Sequence, residues 1–372
     1  MGVRGRRWLR WTIAGLLALL LIGLLGAGWY YADEILTPAP WEEAVRDVRV
    51  EGVDDEQIVL DRTEDSERPG VLGLEFEDGY AQVGTVTSAD AGTVTRELRW
   101  LSGELRPGEM VYVDGFSFSS DPDRAFDFPV EDVLIDSPLG PFPAWLSKGE
   151  RSTWVIGVHG RGVGREELFR MFPIMRDLGL PMLSISYRND PDVPPSPDGL
   201  YGMGATEWED VQAAVDYALA SGADELIIVG YSTGGAIVST WLHESEDAER
   251  VAGVILDAPV LDWGPVLDLA AVDRGVPTWL RPIAQAVSTL RTGIRWDRLN
   301  QVARADEFAH PILLFHGSND QTVPVELSDA FAEARPDLVT YVRTDGRHVR
   351  SWNEDPDAYA ASVRGFVERV TG

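Results

Sequence analysis

The sequence predicts an α/β protein: a mostly parallel sheet with helices on both faces, preceded by one transmembrane helix and a small β-rich module. Three observations carry this prediction. Residues 11–32 are uncharged and largely apolar, residues from about Glu42 to Phe128 alternate with period 2 between turn signals, and from residue 129 apolar strand-like runs alternate with helical periods. The expected plan is a cytoplasmic basic segment at 1–10, an anchor at 11–32, a β-rich accessory module at 33–128 and an α/β domain at 129–372. A cap is expected around 261–305.

The anchor comes first. Arg4, Arg6, Arg7 and Arg10 precede the uncharged stretch Trp11 to Ala32, and Asp33 and Glu34 follow at once. Twenty-two helical residues rise about 33 Å, enough for a hydrocarbon core of about 30 Å. Trp8 and Trp11 at one end, and Trp29, Tyr30 and Tyr31 at the other, occupy aromatic-belt positions. The positive-inside rule then expects a single-pass protein of the cell membrane, its N-terminus cytoplasmic and the rest extracytoplasmic. A cleaved signal peptide is the rival, but Gly26-Ala27-Gly28 makes a weak cleavage site.

In the β-rich module, Leu72, Leu74 and Phe76 alternate before the Asp78-Gly79 turn, and Tyr80 begins the returning strand. Val94 to Leu101 and Gly108 to Phe116 predict further strands. Beyond Pro129, strands are expected at Ser152–Gly160, at Pro181 onward, and at the runs ending in Tyr231, Val260, Gly317 and Gly346. A helix is expected over Arg165–Gly179 and another over Ala205–Gly222, the latter capped by Thr206. The strandless interval between Ala258 and Ala309 exceeds one crossover helix, hence the cap.

Composition narrows the chemistry. The 372 residues hold 61 acidic and 32 basic side chains, a net charge of −29, which opposes sequence-independent binding to nucleic acid. Setting aside the four N-terminal arginines leaves 28 basic against 61 acidic residues, about −33 for the part beyond the anchor. The absence of cysteine removes disulfides, thiolate nucleophiles and Cys-ligated metals together.

Another residue must then carry the chemistry. Gly230-Tyr231-Ser232-Thr233-Gly234 fits G-x-S-x-G, follows the apolar run LIIV and precedes a helical period, the setting that a nucleophile elbow requires. Serine is a weak nucleophile until a base takes its proton and an acid orients that base. Where the elbow occurs, its partners follow in the order acid, then histidine. Of the five histidines, His310 precedes Pro311 at a strand start and His316 lies inside a strand end, whereas His348 falls in the loop after the last strand. Asp320, in HGSNDQTVP, is the expected acid; Asp257, one strand earlier, is the rival. The oxyanion needs two backbone donors. Thr233 supplies one and Arg161, in HGRG, the other, with Gly160 or Gly162 as alternatives. A dinucleotide loop at Gly160 fails because position 165 is Arg165.

From about Pro129 to the C-terminus the chain resembles the α/β-hydrolase superfamily, close to its Bem46-like and serine-aminopeptidase-like branch. HGRG, GYSTGG, HGSND followed by VP, and GRHVRSW fall in that family's order. The whole chain resembles membrane-anchored actinobacterial hydrolases. The resemblance implies Ser232 as nucleophile, His348 as general base and acid, Asp320 as its orienter, and an acyl-enzyme intermediate without cofactor. The expected function is a serine hydrolase acting on a small-molecule ester, with thioester, amide or peptide cleavage as variants. The alternative is a catalytically silent scaffold of the cell envelope.

Overall fold

The computed structural model describes residues 3–38 and 44–372. Residues 1–2 of the basic segment, and residues 39–43 with Glu42 at the expected start of the β-rich pattern, lie outside the described residues, as do the side chains of Arg4, Arg6 and Arg7.

Helix α1 runs from Val3 to Leu36, uninterrupted by proline. Its stretch Arg10–Leu36 is long and apolar enough to cross a membrane. Leucines in its middle, Leu16, Leu17 and Leu19 to Leu21, are exposed. Its last turns are not: Ala32 and Leu36 are fully buried against the rest of the chain.

Strands β1 (Val48–Val53), β2 (Gln57–Asp61), β3 (Leu72–Phe76), β4 (Gly79–Ala89), β5 (Thr93–Ser102) and β6 (Met110–Asp114) close into a barrel in the order β1-β2-β5-β4-β3-β6. Alternation turns Val48, Val50, Ile58, Leu60, Leu72, Leu74 and Val111 inward as its core. Closure removes the exposed edges that a small open sheet would leave. The buried Arg96 guanidinium donates to the carbonyls of Ser66, Arg68, Gly70 and Gly84. A charge is thus accommodated by satisfying donors with backbone acceptors.

A short helix α2 (Pro122–Ala125) leads to the sheet strands β7 (Glu131–Ile135), β8 (Phe142–Ser147) and β9 (Thr153–Val158). A 3-10 turn, Arg165–Met171, precedes α3 (Phe172–Asp177), where one helix over 165–179 was expected; Pro173 sits in the first turn of α3 and cannot extend a regular hydrogen-bond ladder through itself. Then come β10 (Met182–Ile185), α4 (Trp208–Ala220), β11 (Glu225–Tyr231), α5 (Thr233–Glu244) and β12 (Val251–Asp257). Thr206 is not the cap of α4: Glu207 stands there, and its carboxylate turns back to accept from the N–H groups of Gly202 and Gly204. The cap holds α6 (Trp263–Asp273) and α7 (Arg281–Thr292), and β13 (Ile312–Gly317), α8 (Val325–Ala334), β14 (Val339–Thr344), α9 (Ser351–Glu354) and α10 (Pro356–Thr371) complete the chain.

The eight-stranded sheet has the order β14-β13-β12-β11-β9-β10-β8-β7. β9 to β14 are parallel; β8 and β7 add an antiparallel edge. Two apolar cores cover its faces, one centred on Ile156, Val215 and Trp241, the other on Val155, Phe172 and Phe366. From β9 the chain steps outward to β10 and then returns to β11 on the other side. That reversal opens a crevice at the carboxyl ends of the strands, the place where α/β sheets bind ligands.

Candidate active site

Ser232 stands at that edge, between β11 and α5, with φ 51° and ψ −117°. Such a backbone is strained for a residue with a side chain, and its neighbours hold it there. Ser232 N–H donates to Asp257 O at 3.0 Å, while Ser232 O accepts from Gly235 and Val260 N–H, each at 3.0 Å. The flanking glycines are steric requirements. A Cβ at Gly230 would stand 2.7 Å from Gly234 O, and one at Gly234 would collide with Val158 O.

The turn aims the Ser232 hydroxyl at His348. Oγ–H donates to His348 Nε2 at 2.8 Å, and His348 Nδ1–H donates to Asp320 Oδ2 at 2.7 Å. Asp320 lies just past β13, where its Oδ1 accepts from Thr322 and Val323 N–H at 2.7 and 2.9 Å. Burial alone would raise its pKa; the hydrogen bonds from His316 and His348 outweigh that and hold the carboxyl well below the usual carboxylate range.

His316, placed inside a strand end by the sequence, is a further partner of Asp320. Its Nε2–H reaches Asp320 Oδ2 at 3.1 Å and Val323 O at 3.1 Å, and its Nδ1 accepts from Ser328 Oγ–H at 2.6 Å. The neutral Nε2–H tautomer meets every one of these contacts. Asp320 thus serves two histidines. Asp257 serves neither: it is fully buried at the end of β12, accepts from Ser351 Oγ at 3.3 Å, and is pushed up to about 6 by burial. His310 stays at the opposite end of β13, as its position before Pro311 requires.

The loop after β9 brings the second predicted backbone donor alongside. A Cβ on Gly160 would be 3.2 Å from Ser232 Cβ, so the main chain passes directly against the serine. Gly160 N–H donates to Glu167 Oε2 at 2.7 Å, which takes Gly160 out of the alternatives for an oxyanion donor. The N–H groups of Arg161 and Thr233 meet no acceptor among the described residues. The Arg161 side chain turns away from Ser232: its guanidinium lies 4.9 Å over the Tyr201 ring, and Nη2 stands 3.5 Å from the carbonyls of Glu34 and Thr37 at the end of α1.

Comparison with known proteins bears on the α/β domain and on the barrel. A profile of the prolyl oligopeptidase family matches residues 198–369, a span that contains Ser232, Asp320 and His348. The esterase Pf2001 of Pyrococcus furiosus superposes with TM-score 0.56 at 18% identity, covering 68% of this chain and 98% of that one. Est1E of Butyrivibrio proteoclasticus, solved with ferulic acid, gives TM-score 0.50 at 16% identity over 64% of this chain and 99% of its own. These solved structures share the fold of the α/β domain, and the family match is confined to residues 198–369. An uncharacterized protein of Bacillus subtilis, YqkD, is 28% identical over 97 residues, 26% of this chain; the match spans about a third of that relative, 32% of its length. Residues 49–114, the barrel, match a profile described only as a domain of unknown function.

A buried ion pair beside the site, also within the α/β domain, was not predicted from the sequence. His159, at the end of β9, directs Nε2 to Asp190 Oδ2 at 2.9 Å and Nδ1 to Gly160 O at 2.8 Å. Both ring nitrogens face acceptors, so only the imidazolium satisfies both. Burial opposes that charge, but the Asp190 carboxylate beside it prevails and raises the His159 pKa to about 9. The ring stacks on Tyr187 at 4.5 Å, and the Tyr187 hydroxyl donates to Gly160 O at 2.9 Å. His159, Tyr187 and Glu167 together fix the Gly160 peptide, and with it the position of Arg161 N–H. The only advance signal was an HG pair at a strand end and an Asn-Asp pair after the next strand.

Beyond Tyr201 lies an open cleft of about 270 Å³, walled by Arg188, Ser196, Pro197, Leu200 and, from the cap, Thr292. The proline-rich loop 191–199 thus forms one wall of this cleft. Trp263 is buried and donates to Met203 O, and Trp352 is buried against Phe118. Trp279 alone among the cap tryptophans is largely exposed.

Proposed function

We propose that this protein is a membrane-anchored serine hydrolase that cleaves carboxylic esters through Ser232, His348 and Asp320. The observation that carries the reading is the unbroken chain from Ser232 Oγ through His348 to Asp320, with 2.8 and 2.7 Å links, beside free backbone N–H groups.

His348 Nε2 takes the Ser232 proton as Oγ attacks the ester carbonyl carbon, and Asp320 stabilises the imidazolium that forms. The carbonyl oxygen becomes an oxyanion held by the N–H groups of Arg161 and Thr233. Collapse expels the alcohol, which receives the proton from His348 and leaves an acyl-Ser232 ester. Water, deprotonated by His348, attacks that ester, and the acid departs with Ser232 restored. Among the variants, amide and peptide cleavage draw support from the prolyl oligopeptidase match over 198–369. The four N-terminal arginines and the apolar Arg10–Leu36 helix support a single pass with the hydrolase domain extracytoplasmic.

Rates on p-nitrophenyl esters of increasing acyl length and on aminoacyl amides, compared between the wild type and Ser232→Ala, test the reading. Ester turnover that vanishes in the variant is expected. Turnover that survives Ser232→Ala excludes it.

A further inference from the structure

The end of α1 does more than lead away from a membrane: it is packed into the cap. A Cβ on Gly28 would lie 2.7 Å from Ile283 of α7, and the Arg291 side chain pairs with Asp33 at 2.9 Å while lying 4.6 Å over Trp29. Gly28 meets the start of α7 and Asp33 its end, so the two helices run in the same direction. The packed stripe of α1 is Leu24, Ala27, Gly28, Tyr31, Ala32, Ile35 and Leu36, at helical three-to-four spacing.

The lengths then conflict with a cap standing clear of the bilayer. The apolar part of α1 that is free of the cap runs from Trp11 to Gly23. Thirteen residues rise about 20 Å, against a hydrocarbon core of about 30 Å. The missing ten or so ångströms are the turns that α7 covers, so the cap must share the leaflet with them.

Its surface suits that place. The exposed positions of α7 and the turn before it are Thr278, Trp279, Pro282, Ala286, Thr289 and Leu290, none of them charged. Trp279 precedes Ile283 by four residues and so lies at the level of Leu24. That is roughly 9 Å inside a boundary drawn at Tyr30, within the depth that interfacial helices reach. Asp273 and Arg274 at the hairpin turn oppose deeper insertion. Charge agrees as well. Residues 261–305 hold six arginines and four aspartates, and pairing of Arg291 with Asp33 and of Arg304 with Glu307 leaves the cap near neutral in a chain of net −29, so anionic headgroups would not repel it.

The cap and the site are joined at both ends. Val260 N–H, just before the cap, bonds Ser232 O, and Tyr201 N–H bonds Leu36 O at 2.8 Å. We propose that the α6–α7 hairpin is seated in the leaflet on the hydrolase side of the membrane, and that the substrates reaching Ser232 are acyl esters drawn from that leaflet. This rests on the hydrolase and anchor readings above and adds the substrate class.

Because the chain has no cysteine, single labels report position without a background thiol. The full chain would be reconstituted in phosphatidylcholine–phosphatidylglycerol vesicles with a polarity-sensitive dye at Leu17→Cys, Trp279→Cys or, on the barrel, Met110→Cys. Spin-labelled lipid should quench positions 17 and 279 and spare 110. Quenching at 17 with none at 279 overturns the proposal and leaves the anchor standing; no quenching at 17 overturns both. Shielding of 279 from lipid together with cross-linking between chains would assign the face to a second copy and also overturn it. In the same vesicles Trp279→Asp should slow hydrolysis of a long-chain acyl ester roughly tenfold, an effect worth about 1.4 kcal/mol, and leave a short soluble ester unchanged. Equal effects on both esters contradict the substrate assignment. Failure of the wild type on every ester would defeat the hydrolase reading and the substrate assignment, while the quenching result would still decide the seat of the hairpin.

Discussion

The Asn353 carboxamide donates to the Val71 carbonyl at 2.6 Å, and Val71 N–H donates back to Asn353 O at 2.7 Å. The same Nδ2 also reaches Gly115 O at 2.9 Å, so a single buried side chain of the α/β domain grips two strand ends of the barrel. Asn353 lies five residues past His348, and between them Val349, at φ 50°, is held by Arg170 through its carbonyl. The barrel therefore braces the segment that carries the proposed general base. Removing the donors with Asn353→Ala should cost about 1–3 kcal/mol of stability and lower kcat roughly tenfold or more through loss of positioning. Denaturant midpoints and kcat on a soluble ester check both; unchanged kcat would reduce Asn353 to a structural tie.

Asp320→Asn should lower kcat by about 10⁴-fold with little change in folding, because the amide can present a donor to His348 Nδ1 and favour the wrong tautomer. Asp257→Asn should leave kcat nearly unchanged. If the two variants exchange these effects, the acid has been misassigned.

His316→Leu removes one donor from Asp320 and leaves Ser328 Oγ facing an apolar group. Stability should fall by about 1–3 kcal/mol. Asp320 should also become easier to protonate, so the acid limb of the stability profile should move to higher pH. The sign follows from its lowered carboxyl: the stabilisation is present above the unfolded pKa and lost as pH falls through the folded one. Midpoints between pH 2 and 6 read this directly.

His159 gives the opposite sign. Its pKa is raised to about 9 from an ordinary value of 6.5, so its stabilisation is complete below pH 6.5 and lost as pH rises through 9. The stability gap between the wild type and His159→Gln should therefore be widest near pH 6 and narrow by pH 9, by an amount on the order of a few kcal/mol. A gap that is constant over that range would mean that the buried imidazole is neutral.

Arg161 separates main chain from side chain. Arg161→Ala keeps the N–H and should leave kcat within about threefold, whereas Arg161→Pro removes the donor and should cost 10² to 10³ in kcat. Equal losses in both variants would give the guanidinium the role assigned to the backbone.

The strands of the barrel and sheet were legible because their patterns are local. Leu72, Leu74 and Phe76 alternate as expected, but the hairpin turn falls one residue earlier than expected, at Glu77-Asp78, because Gly79 already pairs with Phe76. Ser232, His348 and Asp320 were legible through motif order, and the structure brings these side chains together. Barrel closure was not legible, since the pairing of β1 with β6 joins segments some sixty residues apart with no local signal. The roles of His316 and His159 were hidden for the same reason: what decides them is Asp320 and Asp190 standing opposite in space. Nor does any period in α1 announce that its final turns pack on α7, for Gly28 and Ala32 read equally well as residues facing lipid.

The most direct measurement is labelling of the full-length protein with a fluorophosphonate, followed by peptide mapping of the adduct. A single adduct on Ser232, formed by the wild type, absent from Ser232→Ala and strongly slowed in His348→Ala, is the predicted result. An unlabelled wild type, or an adduct that persists in Ser232→Ala, would contradict the account.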